Sequence, residues 1–267
     1  MPQSIAELFD LSRKVALVTG AGTGIGEAVA SRLAEAGAGV LVVDINLEAA
    51  ERVAGQIRDS GGLARPFQGD VSSVGNAGSM CTAALEALGS LDILVNNAAV
   101  FPFSPALEMK EETWDRVLDV NLKGIFFCSQ AAARVMIEAG RGGKIINLAS
   151  MDGIHPTRVD TAHYNASKGG VIMLTKALAL DFARYNIQVN SVAPGAIITR
   201  GSMAQAAAVQ ARGEPLEELW KNFVARMPLG RFGEPDDIAK VVLFLASGAA
   251  DYLTGTIILA DGGYLLS

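Results

Sequence analysis

The sequence has only two cysteines in 267 residues, Cys81 and Cys128. That is too few for a disulfide framework and offers no metal site. Both fall in helix-like stretches and read as buried, reduced thiols. Basic residues are outnumbered, 22 Lys and Arg against 28 Asp and Glu. Nothing supplies the basic stripe that a nucleic-acid backbone requires, which excludes that partner. A dinucleotide is not excluded, because backbone amides and a helix N-terminus hold phosphate without side-chain cations. No apolar run is long enough to span a bilayer, so no membrane partner is expected. The opening stretch MPQSIAELFDLSRK lacks a basic segment leading into an apolar one. The expectation is a cytoplasmic protein. Linkers, internal repeats and low-complexity tracts are also missing, so residues 1–267 are expected to form one domain.

What is present is an apolar half of the composition, enough for a large core. Short β-rich runs alternate with longer helical ones, the pattern of βαβ units and a parallel sheet. Strands are predicted at Val15–Val18, Val40–Asp44, Ala64–Phe67, Leu91–Asn96, Lys144–Leu148, Ile187–Val192 and Thr256–Leu259. Several are nearly continuous Val/Ile/Leu runs, as in strands covered on both faces. Helices are predicted at Gly24–Ala36, Glu48–Ser60, about Ala77–Leu88, Glu111–Ala139, Tyr164–Tyr185 and Pro235–Ala246. The fold class is therefore α/β, a doubly wound Rossmann-type parallel sheet of about seven strands flanked by helices. The stretch 196–228 breaks the alternation with Ala-rich and charged helical pieces after a strand's carboxyl end. Ligands of open α/β sheets bind at that edge, so this stretch is a candidate substrate lid.

The first strand runs into Thr19-Gly20-Ala21-Gly22-Thr23-Gly24-Ile25-Gly26, a T-G-x-x-x-G-x-G turn that opens a helix. Glycines there permit a tight turn and close approach to a pyrophosphate, which the helix N-terminus stabilises. The second strand ends in Asp44, 18 residues beyond Gly26. An acid at that place accepts hydrogen bonds from both ribose hydroxyls of NAD and repels the 2′-phosphate of NADP. The turn contains no Arg or Lys, and Ile45 follows Asp44, so NAD is the expected cofactor. Asp70-Val71 and Asn96-Asn97-Ala98-Ala99 close the third and fourth strands. Taken alone, each reads equally well as local turn chemistry.

Tyr164-Asn165-Ala166-Ser167-Lys168 is expected to open a helix, with Tyr164 and Lys168 on one face. A phenol titrates near 10, and a neighbouring ammonium favours its ionised form. Such a pair is suited to taking a proton from an alcohol as hydride leaves its carbon. The fifth strand ends in Asn147-Leu148-Ala149-Ser150, which brings a hydroxyl to the sheet edge just before the loop to Tyr164.

Taken in order, the T-G-x-x-x-G-x-G turn, the Asn-Asn-Ala-Ala turn, Ser150, Tyr164-x-x-x-Lys168 and Pro194-Gly195 resemble the short-chain dehydrogenase/reductase family over about residues 13–263. The resemblance implies a catalytic set of Asn121, Ser150, Tyr164 and Lys168. Tyr164 would exchange the proton and Ser150 would hold the substrate oxygen. Lys168 would bind the nicotinamide ribose and depress the Tyr164 pKa, and Asn121 would hold a water in a proton relay. Asn121 read without the resemblance is a polar residue bonding a helical backbone. The implied dinucleotide contacts are Gly20, Thr23, Gly24, Ile25, Gly26, Asp44, Asp70, Val71, Asn97, Ala98, Tyr164, Lys168, Pro194, Gly195, Ile197 and Thr199. A homotetramer is implied as well. Helix residues 169–180 give an independent hint, being apolar on nearly every side. Burial within one large subunit would also account for that pattern.

Two positions depart from the family pattern: Ala99 stands where Gly is usual, and Ser150 precedes Tyr164 by 14 residues, one more than usual. Gly153 keeps its place after Ser150, which puts the extra residue in 154–163. The implied reaction interconverts a secondary alcohol and its ketone with NAD. The polar loop Asp152–Arg158 points to a polyol, sugar or other hydroxylated substrate, whereas Met203, Trp220 and Phe223 of the lid suit an apolar one. His155 either bonds a substrate hydroxyl or caps a turn, and His163 reads as structural. Two other functions remain open: reduction of a 3-oxoacyl thioester, and non-catalytic sensing of NAD.

Overall fold

The computed structural model describes residues 3–203 and 216–267. Seven strands form one wholly parallel sheet: β1 Val15–Thr19, β2 Gly39–Asp44, β3 Leu63–Gln68, β4 Ile93–Asn96, β5 Gly143–Leu148, β6 Ile187–Pro194 and β7 Ile257–Ala260. Their spatial order is β3-β2-β1-β4-β5-β6-β7.

Alternating side chains of each central strand serve opposite faces, which is why these strands are apolar throughout. Ala16, Val18, Val40 and Val42 face one core with helices α2 Gly24–Glu35, α3 Leu47–Asp59 and, near the C-terminus, Pro235–Ala246. Val15, Leu17, Leu41 and Val43 face the other, with α4 Val74–Leu88, α6 Gly124–Ala139 and α7 Ala162–Phe182. Three further helices lie among the described residues, α1 Ile5–Phe9, α5 Glu111–Leu118 and α8 Leu216–Ala225, and Pro235–Ala246 is α9. The order of connection reverses between β1 and β4, so the crevice of a doubly wound sheet falls at their carboxyl ends.

The sequence-based boundaries need three corrections. The predicted helix 111–139 is interrupted by a π-helical turn at Asp119–Lys123, where Asn121 turns its side chain inward. Tyr164 does not open α7; the helix begins at Ala162, and Tyr164 is its third residue. α1 was not anticipated, although its capping box, Ser4 with Glu7, is complete. Of the expected lid, residues 204–215 lie outside the described residues. Among the described residues, no helix is long and apolar enough to cross a membrane.

Candidate active site and dinucleotide cleft

A cleft of about 820 Å³ opens at the β1/β4 reversal. It brings together Gly20, Thr23, Gly24, Ile25, Asp44, Asp70, Val71, Asn97, Ala98 and Thr199. The glycine turn forms its floor. Gly20 has φ +61°, and a Cβ there would lie 2.8 Å from the Ala98 Cα. At Gly26 a Cβ would come within 2.2 Å of the Gly20 carbonyl oxygen. These positions keep the turn flat against β4 and leave a backbone cradle open at the N-terminus of α2, suited to a pyrophosphate. Gly26 itself does not line the cleft; its part is this close packing.

Asn97 reinforces the same contact from β4. Its Nδ2 donates to the carbonyls of Thr19 (3.0 Å) and Gly20 (2.9 Å), so its side chain holds the turn in place. Thr19 was missed by the sequence reading: its Oγ1 accepts the N–H groups of Asn97 and Ala98, at 3.0 and 3.2 Å. Asp44 stands at the rim, its Oδ2 accepting the Gly22 N–H at 2.8 Å and its Oδ1 the Asn46 N–H at 2.9 Å. One lone pair on each oxygen remains for a ribose hydroxyl. Asp70 bonds the backbone and hydroxyl of Ser72, so the turn chemistry expected of Asp holds there too. Thr199 packs over Gly24 and exchanges hydrogen bonds with Ser202. The cleft wall also carries Arg116, beside Glu112, Asp115 and Asp119. Only its spacing from Glu112 on α5 could have drawn attention to it.

Pro194, Gly195 and Ile197 lie off the cleft. Gly195 lets β6 pass tightly beside Asp261, and Ile197 bridges to Gly233. They shape the route from β6 toward Thr199.

Tyr164 sits beside the cleft, its ring 4.1 Å from Phe101, which follows the Asn-Asn-Ala-Ala turn. Burial pushes its pKa up to about 12; the Ser150 hydrogen bond lowers it, the Asp152 charge raises it and the Arg158 charge lowers it. Ser150 is buried, and its Oγ also accepts the Asp152 N–H at 3.1 Å. Lys168 lies one turn along α7, with Nζ 5.7 Å from the Tyr164 ring centre. Its ammonium donates to the Leu148 carbonyl at 2.6 Å, and desolvation brings its pKa down to about 8. Gly153 permits this arrangement, since a Cβ there would strike the Lys168 carbonyl at 2.7 Å.

Asn121 is fully buried in the π-helical turn. Its Oδ1 accepts the Val100 N–H (2.8 Å), and its Nδ2 donates to the Val100 carbonyl (2.9 Å) and to Ser167 Oγ (3.2 Å). Ser167 in turn donates to the Tyr164 carbonyl at 2.7 Å. The side chain therefore ties the segment after β4 to the base of α7 and has spent both N–H groups. His163 is buried against Pro102 and His155 is exposed. Trp220 and Phe223 are occupied in packing: Trp220 against Phe232 at 5.5 Å, and Phe223 against Tyr264 at 4.5 Å.

Comparison with known proteins places this geometry among relatives. A family model described as Enoyl-(Acyl carrier protein) reductase matches residues 20–265. The chain is 38% identical over 261 residues to the 2-dehydro-3-deoxy-D-gluconate 5-dehydrogenase of Dickeya dadantii, covering 98% of this chain and 99% of that protein. A crystal structure of a short-chain type dehydrogenase/reductase from Mycobacterium marinum superposes with a TM-score of 0.90 at 41% identity, covering 99% of this chain and 100% of that one. Another, from Agrobacterium tumefaciens, is provisionally described as a 2-deoxy-D-gluconate 3-dehydrogenase with bound NADP. Its TM-score is 0.85 at 38% identity, with 97% of this chain and 99% of that one covered.

Proposed function

The chain belongs to the short-chain dehydrogenase/reductase family and is an oxidoreductase acting on a CH–OH group; from that premise we propose that it oxidises a polyhydroxylated secondary alcohol to the ketone with NAD, and runs the reverse. The observation that carries this reading is the grouping of Tyr164, Ser150 and Lys168 beside the glycine cradle. The dehydrogenase from Dickeya dadantii, with its sugar-acid substrate, supports a hydroxyl-rich class. So does the engagement of Trp220 and Phe223 in their own aromatic cluster, although Met203 stays exposed.

The chemistry that NAD supplies when bound is acceptance of a hydride from the carbon bearing the hydroxyl. Gly20, Thr23, Gly24 and Ile25 give the pyrophosphate its backbone cradle, Gly26 lets the turn close behind it, and Asp44 takes the adenosine ribose. Asp70, Val71, Asn97, Ala98, Pro194, Gly195, Ile197 and Thr199 form or support the remaining walls. Tyr164 accepts the substrate's proton and Ser150 holds the same oxygen. The Lys168 ammonium favours the phenolate and binds the nicotinamide ribose. Asn121 belongs to the set by fixing α7 against the segment after β4. Residues 196–228 act as the cover of a single catalytic domain, 1–267. The NADP of the Agrobacterium tumefaciens structure belongs to that protein; here the Asp44 carboxylate favours NAD.

Self-association as a homotetramer is part of the proposal. The outer face of α7 leaves Met173 and Leu180 63% and 83% exposed. It adjoins an apolar groove of about 590 Å³ lined by Leu122, Phe126, Phe127 and Leu174. Two unpaired buried thiols suit a cytoplasmic setting. The deciding experiment incubates the purified protein with NAD and a panel of polyols, sugars, sugar acids, cyclic alcohols and hydroxyacyl thioesters, following NADH absorbance. Turnover of the thioesters alone would overturn the polyol reading.

A further inference from the structure

The loop between β5 and α7, residues 149–161, carries Ser150 near its start and leads within three residues of its end to Tyr164, so it borders the reacting end of the site. Its single arginine, Arg158, is held from both sides. One residue before it, Thr157 donates its N–H (3.0 Å) and its hydroxyl (2.6 Å) to Oδ1 of the buried Asp152. On the other side, Thr161 Oγ1 donates to the Arg158 carbonyl at 3.1 Å. The guanidinium lies over the Phe223 ring, 5.2 Å from its centre, and Phe223 is itself stacked on the buried Tyr264. A guanidinium resting against a ring still has N–H groups free for an anion.

Among the described residues, no carboxylate pairs with that edge. Arg32, Arg52 and Arg231 each bind an acidic partner within 2.8 Å. Among the described residues, Arg158 thus has an anchored backbone, a supported side chain and no counter-ion. Its charge still reaches the Tyr164 hydroxyl, where it favours ionisation. A side chain so placed near the atom that takes the proton is also near the substrate.

We propose that Arg158 determines specificity by binding a carboxylate of the substrate, so that the preferred alcohol is a sugar acid and not a neutral polyol. The inference rests on the reading of Tyr164 as the acid/base. A carboxylate suits the site better than a phosphate. The buried Asp152 already sets one negative charge beside Tyr164, and one arginine balances a monoanion but not a dianion.

The test compares D-gluconate with D-glucitol and D-glucitol 6-phosphate as substrates with NAD, for the wild type, Arg158→Gln and Arg158→Lys. Binding of the same three compounds to the NADH-loaded protein is read separately by thermal shift. The expected result is kcat/KM for gluconate at least about tenfold above that for glucitol, from the usual strength of a charged hydrogen bond. In Arg158→Gln that ratio collapses, mainly through the KM for gluconate, and Arg158→Lys restores part of it. Equal use of gluconate and glucitol by the wild type, or preference for the phosphate, overturns the proposal. So does an Arg158→Gln variant that loses kcat for both alcohols equally with a shifted pH profile, since Arg158 would then act only on Tyr164. Gluconate that shifts the wild type but not Arg158→Gln, yet is never oxidised, sustains the anion site and removes the catalytic reading.

Discussion

Tyr164 and Lys168 meet burial from opposite directions, since it favours the neutral form of each. For Tyr164 the folded pKa, about 12, lies above the ordinary 10. Between those values the folded chain holds a proton the unfolded chain has lost, so this group's contribution to stability falls as pH rises. Lys168 is the reverse, about 8 when folded against an ordinary 10.5. In that window the unfolded chain carries the extra proton, so stability rises with pH, by at most ~1.4 kcal/mol per unit. Removing the ammonium should therefore help most at low pH. The melting temperature of Lys168→Met relative to wild type is expected to be highest below pH 8 and to decline steadily up to about pH 10, as calorimetry would show. A flat difference would mean that Lys168 is protonated without penalty. Tyr164→Phe is expected to lower kcat by about 10²–10⁴-fold, the usual weight of a general acid–base group. NADH affinity, followed by fluorescence titration, should stay near the wild-type value. Retained turnover would remove Tyr164 from its role.

At the scale of elements, the joint between the glycine turn and the end of β2 sets cofactor choice. Gly22 donates its N–H to Asp44 at 2.8 Å, and a Cβ on Gly22 would lie 2.7 Å from that same oxygen. Wild-type kcat/KM is expected to favour NAD over NADP by roughly 100-fold, from one charge-assisted bond gained against one like-charge encounter. Asp44→Ala should erode the ratio mainly by weakening NAD. Gly22→Ala should do the same at a distance, by pushing the carboxylate aside, while leaving its charge in place. Equal wild-type use of both cofactors would mean that Asp44 does not meet the ribose. These elements were legible because their signals are local: apolar runs for strands, Gly20 to Gly26 for the turn, and the Tyr164/Lys168 spacing for one helical face. Thr19, Asp152 and the inward role of Asn121 were less so. Each depends on what lies across the sheet edge, Ala98 for Thr19, Thr157 and Tyr164 for Asp152, and Val100 for Asn121. The π-helical turn, which contains Asn121, is likewise not recorded by any periodicity. α1 escaped for a different reason, since five residues are too short for a helical period to register.

For the whole molecule, the exposed apolar face of α7 sets the expectation. Light scattering at micromolar concentration should give a mass near four times 27.8 kDa. Met173→Glu combined with Leu180→Lys should lower that mass while leaving the circular dichroism spectrum of the fold intact, because both side chains point outward. A wild-type monomer would refute the assembly.

The order of strands also governs how the chain reaches its fold. β1 is flanked by β2 on one side and β4 on the other, with Ala16 paired to Ile93. A nascent chain that has produced only β1, β2 and β3 therefore has an apolar, unsealed edge at Val15–Thr19 until Asn96 has left the ribosome. Non-local pairing of this kind slows folding, and an open edge is a place where chains join wrongly. The reversal that opens the cleft thus leaves one edge of β1 waiting for β4. Truncations ending before Ile93 should aggregate more than those that include β4.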